Sequence, residues 1–288
     1  MRRKIVKKYA IITDSASGLE QSFIEEHDIK VLPMSVIIDG IAYKDGVDKS
    51  VTEIYNLLKE SGEGAKTSQP TIGEFMDIYE EIEQDDQYDS VISIHASSEL
   101  TGTYQSALSV SKEISKPAVV IDSRTGSYPM RKMIMSVVEG RKNGETLEAV
   151  EAEITKMIEN TQLYLLPHSF SQLRKSGRVS ASQSVLAILL QVQLKLEFEE
   201  GKVIVGHKVR TKKKMISHIL QTLENHVKDD AIKTLAIVYA GHESLASDWK
   251  RIIQENLPNL NLVFESLVPV AGVHVGHGTV GFGLIKGQ

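Results

Sequence analysis

The sequence predicts an α/β protein, with an N-terminal three-layer α/β/α domain around a mainly parallel sheet and a C-terminal α/β domain. Three observations predict it. Strand-length apolar runs alternate with amphipathic runs of helical spacing from the start of the chain, the pattern of a parallel sheet covered by helices. Past residue 160 the alternation gives way to a hairpin and further strand and helix runs. The 288 residues, 41% hydrophobic and 25% charged, suffice for two cores. The domains are therefore placed at 1–160 and 161–288.

In order, strands are expected at Tyr9–Thr13, Val31–Ile38, Ser90–Ile94 and Ala118–Asp122, each a β-branched or aliphatic run of strand length. Helices are expected near Glu20–His27, Val51–Ser61, Thr71–Gln84 and Leu100–Ile114. Phe75, Ile78, Tyr79 and Ile82 give the third an apolar stripe for the core. Thr71 and Glu74 have the spacing of a capping box. Two helices follow at Arg124–Lys142 and Thr146–Asn160, then a strand at Leu163–Leu166 and a short helix at Ser169–Gly177 closed by glycine. Ser180–Leu190 is strongly apolar. Val192, Leu194, Leu196 and Phe198 alternate with polar residues, the period of a half-buried strand; Glu200-Gly201-Lys202 turns it into Val203–Val209 as a hairpin. A helix at Lys212–Val227, a strand at Thr234–Tyr239, a helix at His242–Glu255 and strands around Leu260–Glu265 and Thr279–Ile285 complete the chain.

A net charge of −5 speaks against a general nucleic-acid binder. No cysteine is present, which excludes disulfides, thiol catalysis and thiolate metal sites. The basic start, Met1 to Lys8, lacks the apolar core of a signal peptide, and no apolar run reaches membrane-spanning length. A cytoplasmic protein is expected.

The most informative residues are two hydroxyl clusters, Thr67-Ser68 and Ser97-Ser98. Each precedes an expected helix start, and helix N-termini attract anions. Capping accounts for either cluster alone; both together point to a small acidic ligand, or to the acidic end of a larger one. In a parallel sheet, ligands lie beyond the carboxyl ends of the strands, where Asp14-Ser15, Ser97-Ser98 and Asp122-Ser123 fall. His274 sits among close glycines, Gly272, Gly276 and Gly278, where a histidine can donate to an anion. With His277 alone beside it, no metal site is expected. Arg178 lies past a glycine turn, placed to pair with a carboxylate or a partner. Arg210 lies within a second basic stretch, Lys208 to Lys214, that leads into a helix. There is no P-loop and no nucleophile elbow. Gly276, Gly278 and Gly281 match a dinucleotide-binding spacing, but they lead into the last strand with no room for the required helix.

Taken together, these residues resemble the DegV family of bacterial fatty-acid-binding proteins. The motifs run in order along nearly the whole chain: Asp14-Ser15, Lys66-Thr67-Ser68-Gln69-Pro70, Ser97-Ser98 through Thr101-Gly102-Thr103-Tyr104, Asp122-Ser123, Lys175-Ser176-Gly177-Arg178, Lys208-Val209-Arg210 and the His274 glycine turn. The resemblance implies a lipid carrier without catalytic activity or cofactor. Such a carrier binds a long-chain free fatty acid at and behind the domain interface and presents its carboxylate to a separate ATP-dependent fatty acid kinase. The acyl phosphate formed enters phospholipid metabolism. Thr67, Ser98, His274 and Arg178 would hold the carboxylate, with Ser68 and Ser97 beside them, and Arg210 would meet the kinase. Val185 to Leu190 with Val192, Leu194 and Leu196 would line the acyl tunnel or form plain core. Departures from the family pattern are His277 in place of a proline, Ser176 in place of a glycine, Gly18 where an acidic residue is common before Leu19, and Gln193-Leu194 where an Ile-Lys-Pro sequence is common. The alternative is a Ser/His lipid esterase or acyl transferase using Ser98 and His274.

Overall fold

The computed structural model describes residues 8–61, 64–168, 175–179, 192–229 and 231–287. The chain divides into two compact units, Met1–Met34 with Gln69–Glu159, and Ser35–Ser68 with Asn160–Gln288. Residues 35–68 thus belong with the C-terminal half, not with the stretch on either side of them.

The elements run β1 (Tyr9–Asp14), a short 3₁₀ turn (Ser15–Ser17), α1 (Gln21–Glu26), β2 (Ile29–Leu32), β3 (Ser35–Ile38), β4 (Ile41–Lys44), α2 (Val51–Ser61), β5 (Lys66–Ser68) and α3 (Ile72–Gln84). Next come β6 (Ser90–His95), α4 (Thr103–Val110), β7 (Ala118–Asp122), α5 (Ser127–Asn143) and α6 (Leu147–Glu159). The expected strand Val31–Ile38 is two strands, because Pro33 between them has no N–H to give a ladder.

In the first unit β2, β1, β6 and β7 form a wholly parallel sheet in that order. Successive residues of β1 serve opposite faces. Ala10 and Ile12 pack with Phe75, Tyr79 and Ile82 of α3 and Ala107 and Val110 of α4, while the Tyr9 hydroxyl donates to the Val137 carbonyl of α5 at 3.2 Å. The sheet therefore lies between two helical layers. Asp14 pairs with Leu32, Thr13 with Ile94, and His95 with Asp122, so the carboxyl ends of all four strands share one edge. α3 opens with both halves of its capping box, Thr71 to the Glu74 amide and Glu74 back to the Thr71 amide.

The second unit holds β8 (Thr161–Leu166), β9 (Gln193–Glu199), β10 (Lys202–Val209), β11 (Thr234–Tyr239), β12 (Asn261–Ser266) and β13 (Val280–Ile285). They form one sheet, ordered β10-β9-β8-β13-β11-β12, antiparallel except for β11 and β12. Helices Lys212–Lys228 and Glu243–Asn256 cover one face through Met215, Ile219, Leu223, Trp249 and Ile253 against Tyr164, Ile237 and Phe282. β3, β4 and β5 make a separate antiparallel sheet, on which helix Pro269–Val275 packs. The hairpin between β9 and β10 forms as its sequence predicts. Its burial does not alternate: Lys195 is buried with Leu194 and Leu196, because its ammonium pairs with Glu197 at 2.8 Å and lies over the Tyr164 ring. The expected helix at Ser169–Gly177 and the apolar run Ser180–Leu190 fall largely outside the described residues. Among the described residues, no helix is long and apolar enough to cross a membrane.

Candidate functional site

Each cluster precedes a helix, as expected, but neither caps it. Thr67 and Ser68 lie on β5, where Thr67 pairs with Val36 and Ser68 with Ser35. Thr67 is half-buried and Ser68 exposed. After Ser97 and Ser98 the chain makes a turn, in which the Ser97 carbonyl takes the amides of Leu100 and Thr101. The helix begins only at Thr103, with Gly102 as a cap that offers no side chain.

In the second unit, two predicted site residues meet. Thr67 Oγ1 and His274 Nε2 are 2.7 Å apart. Helix Pro269–Val275 brings the imidazole there; it opens on proline, and its Gly272 passes tight against the Tyr55 ring. A methyl group at position 272 would lie 2.3 Å from the Tyr55 hydroxyl oxygen. That hydroxyl donates to the Leu267 carbonyl at 3.0 Å, and burial pushes its pKa well above the ordinary value. The glycine-rich stretch at 272–279 is thus part helix and part turn. Gly278 has φ +88° and would press any side chain onto His168. Burial, and then the positive charge of Arg178, hold His274 down to about 4. The imidazole is therefore neutral at physiological pH, with one ring nitrogen carrying hydrogen. Arg178 itself is exposed, and its guanidinium donates to the Ser176 carbonyl at 2.7 Å. His277 stacks edge-on against His242. Arg210 is exposed at the end of β10, followed by Thr211, which caps helix Lys212–Lys228.

In the first unit, Ser97 is fully buried and ties its amide to the Thr125 carbonyl. Ser98 is half-buried and donates twice to Asp122, from its amide at 3.2 Å and from its hydroxyl at 2.5 Å. The sequence places Asp14 and Asp122 at this edge but gives neither a partner, and two features are new here. One is the bonding of Asp122 to Ser98. The other is a relay under the same sheet edge: Asp14 accepts from Ala16 and Ala96 amides at 3.0 Å each and meets His95 Nδ1 at 3.1 Å. His95 Nε2 in turn meets the Ser93 hydroxyl. This Asp-His-Ser order resembles a catalytic triad, but all three side chains are fully buried, so no substrate reaches them and they hold the 96–98 turn in place. Among the described residues, no group of three or more His, Cys, Asp or Glu could bind a metal ion.

Residues 8–287 match the family model described as "Uncharacterised protein, DegV family". A DegV domain-containing protein of Staphylococcus aureus strain N315 is 31% identical over 279 residues, 97% of this chain and 99% of that protein. Among solved structures, DegV of Bacillus subtilis, described as a fatty acid binding protein, superposes with a TM-score of 0.87 at 27% identity, covering 97% of this chain and 99% of that one. The fatty acid binding DegV family protein of Streptococcus agalactiae superposes with a TM-score of 0.90 at 25% identity, covering 98% and 100%.

Proposed function

Because this chain belongs to the DegV family, we propose that it binds a long-chain fatty acid and presents the carboxylate to a separate ATP-dependent kinase. The observation that carries this reading is the Thr67–His274 pair. A neutral imidazole with hydrogen on Nε2 donates to Thr67 Oγ1, which leaves the hydroxyl hydrogen of Thr67 for a carboxylate oxygen. The family resemblance adds Ser98, Ser68 and Ser97 to the proposed carboxylate-binding residues, and Arg178 adds positive charge beside His274.

In such a site the hydrogen bonds to the anion come from neutral hydroxyls, with the Arg178 charge acting from an exposed position. Neutral hydroxyl donors leave the carboxylate oxygen more nucleophilic than a buried ion pair would, for attack on the γ-phosphorus of ATP held by the kinase. The new O–P bond forms as the bond to the ADP oxygen breaks. Arg210 and the exposed lysines beside it, Lys208 and Lys212 to Lys214, offer that kinase an electropositive surface.

The face of the larger sheet opposite helices Lys212–Lys228 and Glu243–Asn256 is apolar too, with Leu163, Leu165, Ala236 and Val238 buried in it, which suits an apolar tail. Leu165 pairs with Leu196 and Gly281, and Val238 with Gly281, so glycine alternates with aliphatic side chains there. A chain of ~16 carbons at ~0.8 kcal/mol per methylene gains on the order of 10 kcal/mol gross, enough to survive purification after the costs of binding. The carrier reading is favoured over an esterase because Ser98 gives its hydroxyl to a carboxylate and not to an imidazole.

Mass spectrometry of the purified protein, native and after organic extraction, tests the reading. A stoichiometric fatty acid is expected. A protein that stays empty after incubation with acids of several lengths would overturn it.

A further inference from the structure

Asp122 ends β7 at the edge where the four strands finish, opposite His95. Its Oδ1 accepts the Ser98 amide at 3.2 Å and the Arg124 amide at 2.8 Å, and its Oδ2 accepts the Ser98 hydroxyl. Arg124 takes a φ of +53° to make its bond, a conformation that costs a non-glycine residue energy. An ionised carboxylate only accepts hydrogen bonds, and a serine hydroxyl has one hydrogen to give. In this arrangement that hydrogen is committed to Asp122, and Ser98 Oγ turns only lone pairs outward.

Resting on the reading of Ser98 as a carboxylate donor, we propose that Asp122 is a positioning residue that competes with the ligand for the Ser98 hydrogen. It thereby sets the head-group preference of the site. A fatty-acid anion gains Ser98 only by drawing the hydroxyl away from Asp122. A head group with its own hydrogen, such as a long-chain alcohol, donates to Ser98 while the Asp122 bond stays. Asp122 thus lowers the site's preference for the anion below what its donors alone would give, which favours release of the head group to the next reaction.

The variant Asp122→Asn reverses the polarity of one bond. Its Oδ1 still accepts the two amides, while Nδ2 donates to Ser98 Oγ and frees the hydroxyl hydrogen. Palmitate and hexadecanol binding to delipidated protein are compared by competition in wild type, Asp122→Asn, Ser98→Ala and the double variant, at about 0.3 M salt to screen the lost charge. The palmitate-to-hexadecanol affinity ratio is expected to rise about tenfold in Asp122→Asn and to change less than about twofold when Ser98 is already alanine. If Asp122→Asn does not fold, Asp122→Ser is expected to move the ratio in the same direction. An unchanged ratio in a folded variant, or an equal rise without the Ser98 hydroxyl, overturns the proposal. If Ser98→Ala alone leaves palmitate binding intact, the reading of Ser98 fails and the inference falls with it.

Discussion

Thr67 and His274 are separated by 207 positions in sequence and by 2.7 Å in space, Oγ1 to Nε2. The hydroxyl can be removed almost without changing volume. Thr67→Val is expected to lower fatty-acid content about tenfold and Thr67→Ser to keep it, the difference being one hydrogen bond to a charged group. Quantifying extracted lipid per protein decides it; full content in Thr67→Val would take Thr67 out of the site.

The depressed His274 pKa makes a stability prediction with a definite sign. Burial and Arg178 place it at about 4 in the fold against an ordinary 6.5, so between those values the unfolded chain binds a proton that the folded chain refuses. Its effect on stability is absent above about pH 6.5, grows as pH falls, and is complete below about 4. The slope is at most about 1.4 kcal/mol per pH unit. His274→Asn removes this share, leaving that of the other histidines held low, such as His277 and His218. Urea unfolding at about pH 7 and about pH 5 should show wild type losing more than the variant; equal losses would contradict the assignment.

Tyr55 is wedged against Gly272 and tied to the Leu267 carbonyl. A methyl group at 272 has nowhere to go without moving helix Pro269–Val275, so Gly272→Ala should cost about 2 kcal/mol. Because that helix carries His274, lipid content should fall as well. Tyr55→Phe orphans one buried carbonyl and should cost about 1 kcal/mol. Thermal unfolding compares the two, and a Gly272→Ala protein as stable as wild type would refute the packing account.

Asp14 accepts from two amides and the His95 ring inside a fully buried pocket. Asp14→Ala strands all three donors and should cost about 3 kcal/mol or more. The same burial means that Ser93 should never react with a serine-directed phosphonate in folded protein. Labelling at Ser93 or at Ser98 would revive the hydrolase alternative.

Arg210 is exposed on a basic stretch. Charge reversal, Arg210→Glu, should slow acyl-phosphate formation with the proposed kinase partner about tenfold or more while leaving lipid content intact. Loss of lipid instead would move Arg210 from partner surface to ligand site.

Much of the fold was readable from periodicity. β1, β6, β7 and the Thr71–Glu74 capping box follow from local pattern, and the hairpin follows from Glu200-Gly201. What escaped was set by distant partners. β4 and β5 are short, partly exposed strands that exist because β3 pairs with both, and three residues such as Lys66–Ser68 carry no period of their own. His274 reads as part of a glycine turn, yet Pro269 starts a helix there whose footing is Tyr55, more than two hundred residues earlier. The hydroxyl residues were found by type, but their bonding was not: the Ser98 bond to Asp122 spans 24 positions, and neither residue's neighbours announce it.

The assignment of residues 35–68 to the second compact unit makes both units discontinuous in sequence, and therefore in synthesis. The ribosome delivers β3, α2 and β5 before any of the strands that complete their unit, while the first unit can close as soon as α6 emerges. Those early residues must wait, unpaired with their own half, through the whole of 69–159. A protein cut at residue 160 would give a front piece carrying an orphaned sheet and a back piece without Thr67. An engineered second domain would have to join 35–68 to 160–288 through a new linker before it could be asked to hold a ligand at all.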